Sequence, residues 1–276
     1  MPELPEVETI RRDLEGRLTG RRFTAVRIPP DWGKPVPVIK GIDEARFREG
    51  VIGARVEGVE RRGKYLAFRL DNGLQLAVHL RMTGSLLHRP AGAGPDRFLR
   101  ATLALDDGTE LRFADMRKFG GLWLVEDVAD AVAGDLGPEP LSEGFTESVL
   151  AGALRGRKAP VKAVLLDQRR VAGIGNIYAD EACFAAGIDP RRPAGSLSPE
   201  EVAALHAAVR KVLLFGVESR GASFRDYQDA DGNSGSMQMH VQVFRRNGKP
   251  CYACGAAIER VRLGGRSTHF CPKCQR

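Results

Sequence analysis

The opening residues, Met1-Pro2-Glu3-Leu4-Pro5-Glu6, offer an uncommon nucleophile. If Met1 is removed, as a small second residue permits, Pro2 presents a secondary amine. An α-amino group has a pKa near ~8, against about 10.4 for lysine, so a useful fraction is unprotonated at neutral pH. Attack of such an amine on a sugar C1′ gives, after ring opening, an iminium ion that stays positive without a proton. That cation acidifies the neighbouring carbon and favours β-elimination of phosphate, which is covalent catalysis through an activated amine. Glu3 is adjacent and could protonate the ring oxygen or shuttle protons. Glu6, one helical turn on, could hold the amine or a water. The same prolines and glutamates also simply start a helix well.

A second constellation closes the chain. Cys251-x2-Cys254-x16-Cys271-x2-Cys274 places two Cys-x2-Cys knuckles at a separation that suits tetrahedral Zn²⁺. A disulfide pair is disfavoured by an intracellular setting, and a redox motif by the duplication of the knuckle. Cys183 stands alone in a helical stretch and reads as a small buried apolar residue. From Phe244 to Arg276 there are eight Lys or Arg against one acid, Glu259, which equals the whole formal excess of +7. Such concentration fits a polyanion partner or a solvated basic tail. Arg155, Arg157, Lys158 and Lys162 form a thinner basic cluster.

The elements that must position these groups can be traced by period. Leu4, Val7, Ile10, Leu14 and Leu18 recur every three or four residues, which predicts an amphipathic helix over 4–18. The period then falls to two. Strands are expected at 23–28, 54–59, 65–70, 74–80, 98–105, 109–113 and 122–125, with hairpins at Asp71-Asn72-Gly73 and Asp106-Asp107-Gly108. Strands at this spacing predict a β-sandwich over about residues 1–130. Residues 131–140 contain Gly-Pro-Glu-Pro and read as a linker. Helical patterns follow near 145–155, 159–168, 176–186 and 199–216, the last opened by Ser198 as N-cap and Pro199. The stretch 219–238 is rich in Gly, Ser, Asp and Asn, lacks apolar periodicity and is expected to be a mobile loop. No run approaches the roughly 18 to 20 apolar residues of a membrane span, and the acidic N-terminus is unlike a secretory signal, so a cytoplasmic location is expected. Apolar content of 43% with 28% charged residues is that of a soluble globular protein.

Taken together, the opening PELPEVET and the later motifs resemble the bacterial formamidopyrimidine-DNA glycosylase family from residue 2 to the C-terminus. The resemblance implies an α+β multi-domain fold. An N-terminal catalytic β-sandwich (1–130) with an N-terminal helix is followed by the linker, a helix–two-turn–helix domain (141–240) and a zinc-finger hairpin (241–276). A lesion-capping loop is implied at about 219–240. Pro2 is implied to be the Schiff-base nucleophile and Glu3 the proton donor for base loss. Lys64, in Arg61-Arg62-Gly63-Lys64-Tyr65, is implied to contact phosphate and donate a proton in β-elimination, though such a run is also an ordinary charged turn. His79-Leu80-Arg81-Met82-Thr83-Gly84 and Asp115-Met116-Arg117-Lys118-Phe119-Gly120 are similar to the family's intercalation segments. Met82 and Phe119 would fill the hole left by a flipped base, and Arg117 would bond the orphaned partner base. Val171-Ala172-Gly173-Ile174-Gly175-Asn176 is similar to the two-turn segment, where Asn176 grips phosphate beside a helix N-terminus. Lys158 and Lys162 resemble further DNA and lesion contacts. Arg266 matches the arginine at the tip of the zinc hairpin, which assists δ-elimination.

One departure stands out. Where many relatives carry a histidine, this chain reads Pro95-Asp96-Arg97-Phe98-Leu99-Arg100, leaving Arg97 or Arg100 to replace its DNA contact. The reading is therefore a monomeric bifunctional glycosylase and AP lyase acting on oxidised purines in duplex DNA, with one structural Zn²⁺ and no membrane partner. Its rivals are an endonuclease VIII-type enzyme for oxidised pyrimidines and a zinc-dependent DNA-binding protein without catalysis.

Overall fold

The computed structural model describes residues 1–131 and 133–276. Residue 132, within the expected linker 131–140, lies outside the described residues. Contacts divide the chain into two units: Met1–Gly134 with Ser219–Ser236, and Asp135–Glu218 with Met237–Arg276.

The first unit opens with α1 (Leu4–Leu18), whose Leu4, Val7, Ile10, Leu14 and Leu18 are all buried, as the period predicts. Then come β1 (Phe23–Arg27), β2 (Ile39–Lys40), α2 (Glu44–Val51), β3 (Val56–Arg62), β4 (Tyr65–Leu70), β5 (Gln75–His79), β6 (Gly84–Pro90), β7 (Leu99–Leu105), β8 (Thr109–Asp115), β9 (Gly121–Val125) and α3 (Val128–Ala131). Among the described residues these strands form a four-stranded sheet, β1-β7-β8-β6, and a five-stranded sheet, β2-β9-β5-β4-β3. The two Asp-Gly turn signals close antiparallel hairpins, β4 with β5 and β7 with β8, in the expected places. One apolar core, including Phe23, Phe47, Phe68 and Phe113, draws on both sheets and on α1. This is the predicted sandwich.

In this unit β2, α2, β6 and α3 were not expected from sequence, and β2 and α3 are only two and four residues long. β6 does not alternate cleanly and carries His88, Arg89 and Pro90 at its end. α2 buries only Phe47 and Val51, too thin a stripe for periodicity to reveal.

The segment from Ser219 to Ser236, read from sequence as a loop of the helical domain, packs with the first unit. Tyr227 and Ala230 join the sandwich core. His88 donates its backbone N–H to the Ala230 carbonyl at 2.8 Å, and Arg220 bridges Asp13 of α1 and Asp229. Apart from a turn at 229–233, its hydrogen bonds run largely to side chains and to distant backbone, so no local repeat betrays the order.

The second unit holds α4 (Glu147–Leu154), α5 (Val161–Leu166), α6 (Asn176–Ala185) and α7 (Pro199–Glu218), matching the four helical patterns. Ser198 caps α7: its hydroxyl accepts the Glu201 N–H, and the Glu201 carboxylate accepts the Ser198 N–H. The hairpin β10 (Glu259–Leu263) and β11 (Arg266–Phe270) completes the unit. Its turn uses Gly264 and Gly265, both at positive φ, as a tight two-residue hairpin requires.

Candidate functional site

In the first unit, Pro2 and Glu3 are buried at the start of α1. Glu3 is the N-cap, and its carboxylate accepts the Glu6 backbone N–H. Glu6 Oε2 in turn accepts the Glu3 N–H at 2.7 Å, so the two carboxylates brace the chain's leading end reciprocally. Both face the positive end of the helix dipole. Glu6 Oε1 accepts the Ala222 backbone N–H at 2.8 Å, and the Tyr227 hydroxyl donates to the Glu6 carbonyl at 3.3 Å. The segment 219–236 is thus tied to the N-terminal carboxylates, a link with no sequence signal beyond Gly221. That glycine has φ +81°, and a Cβ there would lie 2.8 Å from Glu6 Cγ. α1 packs against β3 and β4, whose connecting turn carries Lys64, 7% exposed.

The expected wedge residues come together. Met82 and Phe119 are exposed large apolar groups. Arg117 Nη1 lies 3.1 Å from Met82 Sδ, and its guanidinium sits 4.7 Å from the Phe119 ring centroid. What joins the two loops was not read from sequence. The Thr83 hydroxyl donates to Asp115 Oδ1 at 2.5 Å, while the Arg117 N–H reaches both that oxygen and Thr83 Oγ1. Asp115 Oδ2 accepts the Gly120 N–H at 2.8 Å. One buried carboxylate therefore serves three donors and shapes both loops. Thr83, Ser85, Asp115, Arg97, Arg225 and Asp226 also line a cavity of about 290 Å³.

Behind Lys64, His79 ends β5. Its ring meets Tyr65 edge-on at 4.5 Å, and Nδ1 accepts the Arg81 backbone N–H at 2.9 Å. Burial, with the nearby cations of Arg81 and Lys64, pushes its pKa down to about 3.

The two arginines offered for the missing histidine diverge. Arg97 is exposed and stacks over the Phe98 ring at 4.5 Å. Arg100 is 4% exposed and is engaged with Asp31 at 3.2 Å and with the Val36 carbonyl, so it does not present its charge to a ligand.

In the second unit, Lys158 is exposed but Lys162 is 1% exposed. The Lys162 ammonium pairs with Asp180 Oδ1 at 2.6 Å and donates to the Ser267 carbonyl at 2.8 Å. The sequence expectation of a direct DNA contact by Lys162 does not fit this burial. The Asn176 amide donates to the same Ser267 carbonyl at 3.0 Å, at the N-terminus of α6. Both side chains hold the residue that follows Arg266, which is exposed at the hairpin tip. His269 of β11 donates its backbone N–H to Asp180 Oδ2 at 3.0 Å. Next along α6, the Glu181 carboxylate accepts the N–H groups of Gln242, Val243 and Phe244. Its burial pushes the pKa up, against the lowering effect of those bonds. Cys183 is fully buried, as expected.

Among the described residues, the Sγ atoms of Cys251, Cys254, Cys271 and Cys274 all lie within 4.8 Å of one another. Cys251–Cys274 is 3.9 Å and Cys254–Cys271 is 3.5 Å. Sulfurs about 2.3 Å from a tetrahedral Zn²⁺ stand about 3.8 Å apart, so the donor set fits one zinc and leaves no open position.

A two-sheet domain bearing exposed Met82 and Phe119, with a helical domain that ends in a four-cysteine hairpin, defines a class of zinc-hairpin helix–two-turn–helix proteins. The family models for the Formamidopyrimidine-DNA glycosylase N-terminal domain, the Formamidopyrimidine-DNA glycosylase H2TH domain and the zinc finger found in FPG and IleRS match residues 1–122, 136–228 and 248–276. The formamidopyrimidine-DNA glycosylase of Symbiobacterium thermophilum is 50% identical, covering 100% of this chain and 89% of its own length. That of Desulfitobacterium hafniense is 47% identical over all of both chains. Solved relatives include Lactococcus lactis FPG with a Fapy-dG-containing DNA (33% identity, TM-score 0.89, 99% of this chain and 100% of that one). Another is the FPG protein of Thermus thermophilus (41%, 0.87, 99% and 98%). The chain belongs to the formamidopyrimidine-DNA glycosylase family.

Proposed function

We infer that this chain excises oxidised purines, 8-oxoguanine and formamidopyrimidines, from duplex DNA and then cleaves the strand at the abasic site. The observation that carries the reading is the Glu3–Glu6 brace, which holds the amine-bearing end of the chain in the same unit as Met82, Arg117 and Phe119. The relative solved with Fapy-dG-containing DNA supports the substrate class.

With Met1 removed, the Pro2 nitrogen attacks C1′, and the bond from C1′ to the base breaks as Glu3 supplies a proton. Ring opening leaves an iminium at C1′. Loss of a C2′ proton then expels the 3′ phosphate, and a further elimination expels the 5′ phosphate. Lys64 serves the first elimination and Arg266 the second, through charge placed near the leaving phosphates. Met82 and Phe119 fill the vacated stack while Arg117 meets the partner base. Arg97, Lys158 and Asn176 hold backbone phosphates. Zinc, when bound by the four cysteines, cross-links the hairpin that displays Arg266 and does no chemistry itself. The enzyme acts as a monomer in the bacterial cytoplasm.

Sodium borohydride reduces an iminium, so incubation with 8-oxoguanine duplex should leave a covalent adduct mapping to Pro2. A Pro2→Gly chain that retains Met1 should trap none, and trapping that survives this change overturns the nucleophile. Excision assays on 8-oxoguanine and oxidised-pyrimidine duplexes in parallel decide the substrate class, and a faster pyrimidine rate overturns it.

A further inference from the structure

Between Arg117 and Phe119, whose side chains face outward, stands a residue pointing the other way. Lys118 has φ +59°, a left-handed backbone that residues with a Cβ rarely adopt and that glycine would take without strain. Yet it is a lysine, and it is 9% exposed. Its ammonium donates to the Trp32 carbonyl and, at 3.0 Å, to the Lys34 carbonyl. It lies 3.3 Å from Asp31 Oδ1 and 4.6 Å from the centroid of the Trp32 ring. Asp31 is itself held by Arg100 at 3.2 Å and accepts the Val36 N–H at 2.8 Å, which makes the 31–36 segment a closed cradle. The cradle continues to Phe98, 5.8 Å from Trp32, whose carbonyl accepts the Asp115 N–H at 2.9 Å at the start of the wedge loop.

We propose that Lys118 is a positioning residue: its buried ammonium, seated in the Asp31–Lys34 cradle, forces the turn that aims Arg117 and Phe119 outward. This rests on the function proposed above, in which those two side chains act at the flipped-base site. A buried cation with three oxygen partners and a ring face loses much if displaced, which is what a left-handed backbone between two working side chains requires. Asp115 shapes the loop from its N-terminal side. Lys118 anchors its middle, and without that anchor the Arg117 and Phe119 side chains sample several directions.

The test compares wild type, Lys118→Met, Lys118→Arg and Asp31→Asn. Single-turnover excision of 8-oxoguanine is measured opposite cytosine and opposite adenine. Borohydride trapping is measured in parallel on a single-stranded abasic oligonucleotide, which has no partner base. Lys118→Met keeps the reach of the side chain and removes its charge. It should reduce the cytosine-over-adenine preference at least about fivefold, the scale of one lost base-edge contact, with single-strand trapping within about twofold of wild type. Lys118→Arg should restore most of the preference. A wild-type preference in Lys118→Met, or an equal loss in both assays, overturns the proposal. If Lys118→Met does not fold, Asp31→Asn carries the same expectation and the same refutation. Wild-type chain that neither excises nor traps refutes the glycosylase reading itself, before any variant is compared.

Discussion

His79 shows how one residue can be held neutral where its neighbours are charged. Its Nδ1 accepts a backbone N–H, so the proton of the neutral ring sits on Nε2, and protonation would break that bond inside a buried site. The folded pKa near 3 lies below the ordinary value of 6.5. Between those values the unfolded chain takes up a proton that the folded chain refuses. Stability contributed by His79 is therefore intact above about pH 6.5 and lost as pH falls towards 3, by up to about 1.4 kcal/mol per unit. Denaturant unfolding of wild type and His79→Asn at pH 7 and pH 5 measures this. Wild type should lose about 2 kcal/mol more than the variant over that interval, and parallel losses would remove His79 from the account. Its place beside Lys64 means that the turn carrying this lysine avoids a second titrating cation at neutral pH.

At the scale of elements, α6 is the organiser of the second unit. Its N-terminal residue holds the Ser267 carbonyl, Asp180 receives Lys162 and His269, and Glu181 caps the entry to the cysteine module. The buried Lys162–Asp180 pair stabilises only while both partners are present, because an unpaired buried charge costs about 3–5 kcal/mol. Lys162→Met should lower the unfolding free energy by about that amount, read by thermal or denaturant unfolding. A loss of a few tenths would show that the ammonium is not needed there. The basic cluster around 155–162 looked uniform in sequence. Only the fold separates exposed Lys158 from buried Lys162, because α5 turns one of them towards Asp180 and the other lies before the helix begins.

At the scale of the whole molecule, the charge that reads as a basic tail is put to two uses. Arg246 is 6% exposed, with its guanidinium 3.4 Å from the Tyr252 ring centroid, whereas Arg266 stands free at the hairpin tip. Exposed Arg97, Arg117, Lys158 and Arg266 are the cations expected to meet DNA. Neutralising about four to six phosphates gives a log–log slope of affinity against salt of about −4 to −5. Arg266→Ala should make that slope shallower by about 1, and Lys162→Met should leave it unchanged. A slope near zero for wild type would dismiss the electrostatic account, and an equal change in both variants would return Lys162 to the interface.

Periodicity and spacing by themselves determined α1, the two hairpins, the four helices and the cysteine quartet, because each depends on residues close in the chain. The amine chemistry open to Pro2 was legible in its residue type, whereas the roles expected of Met82, Arg117 and Arg266 came from the resemblance to the family. Tertiary structure alone decided that 219–236 is packed on the sandwich, that Arg100 and Lys162 face inward, that Thr83 and Asp115 join the 82 and 117 loops, and that the Lys118 ammonium is seated against residues 31–34. Those outcomes turn on partners up to about 200 residues away in sequence, as Ala222 is from Glu6. Burial of a charge depends on what surrounds it in space, and no local pattern records that.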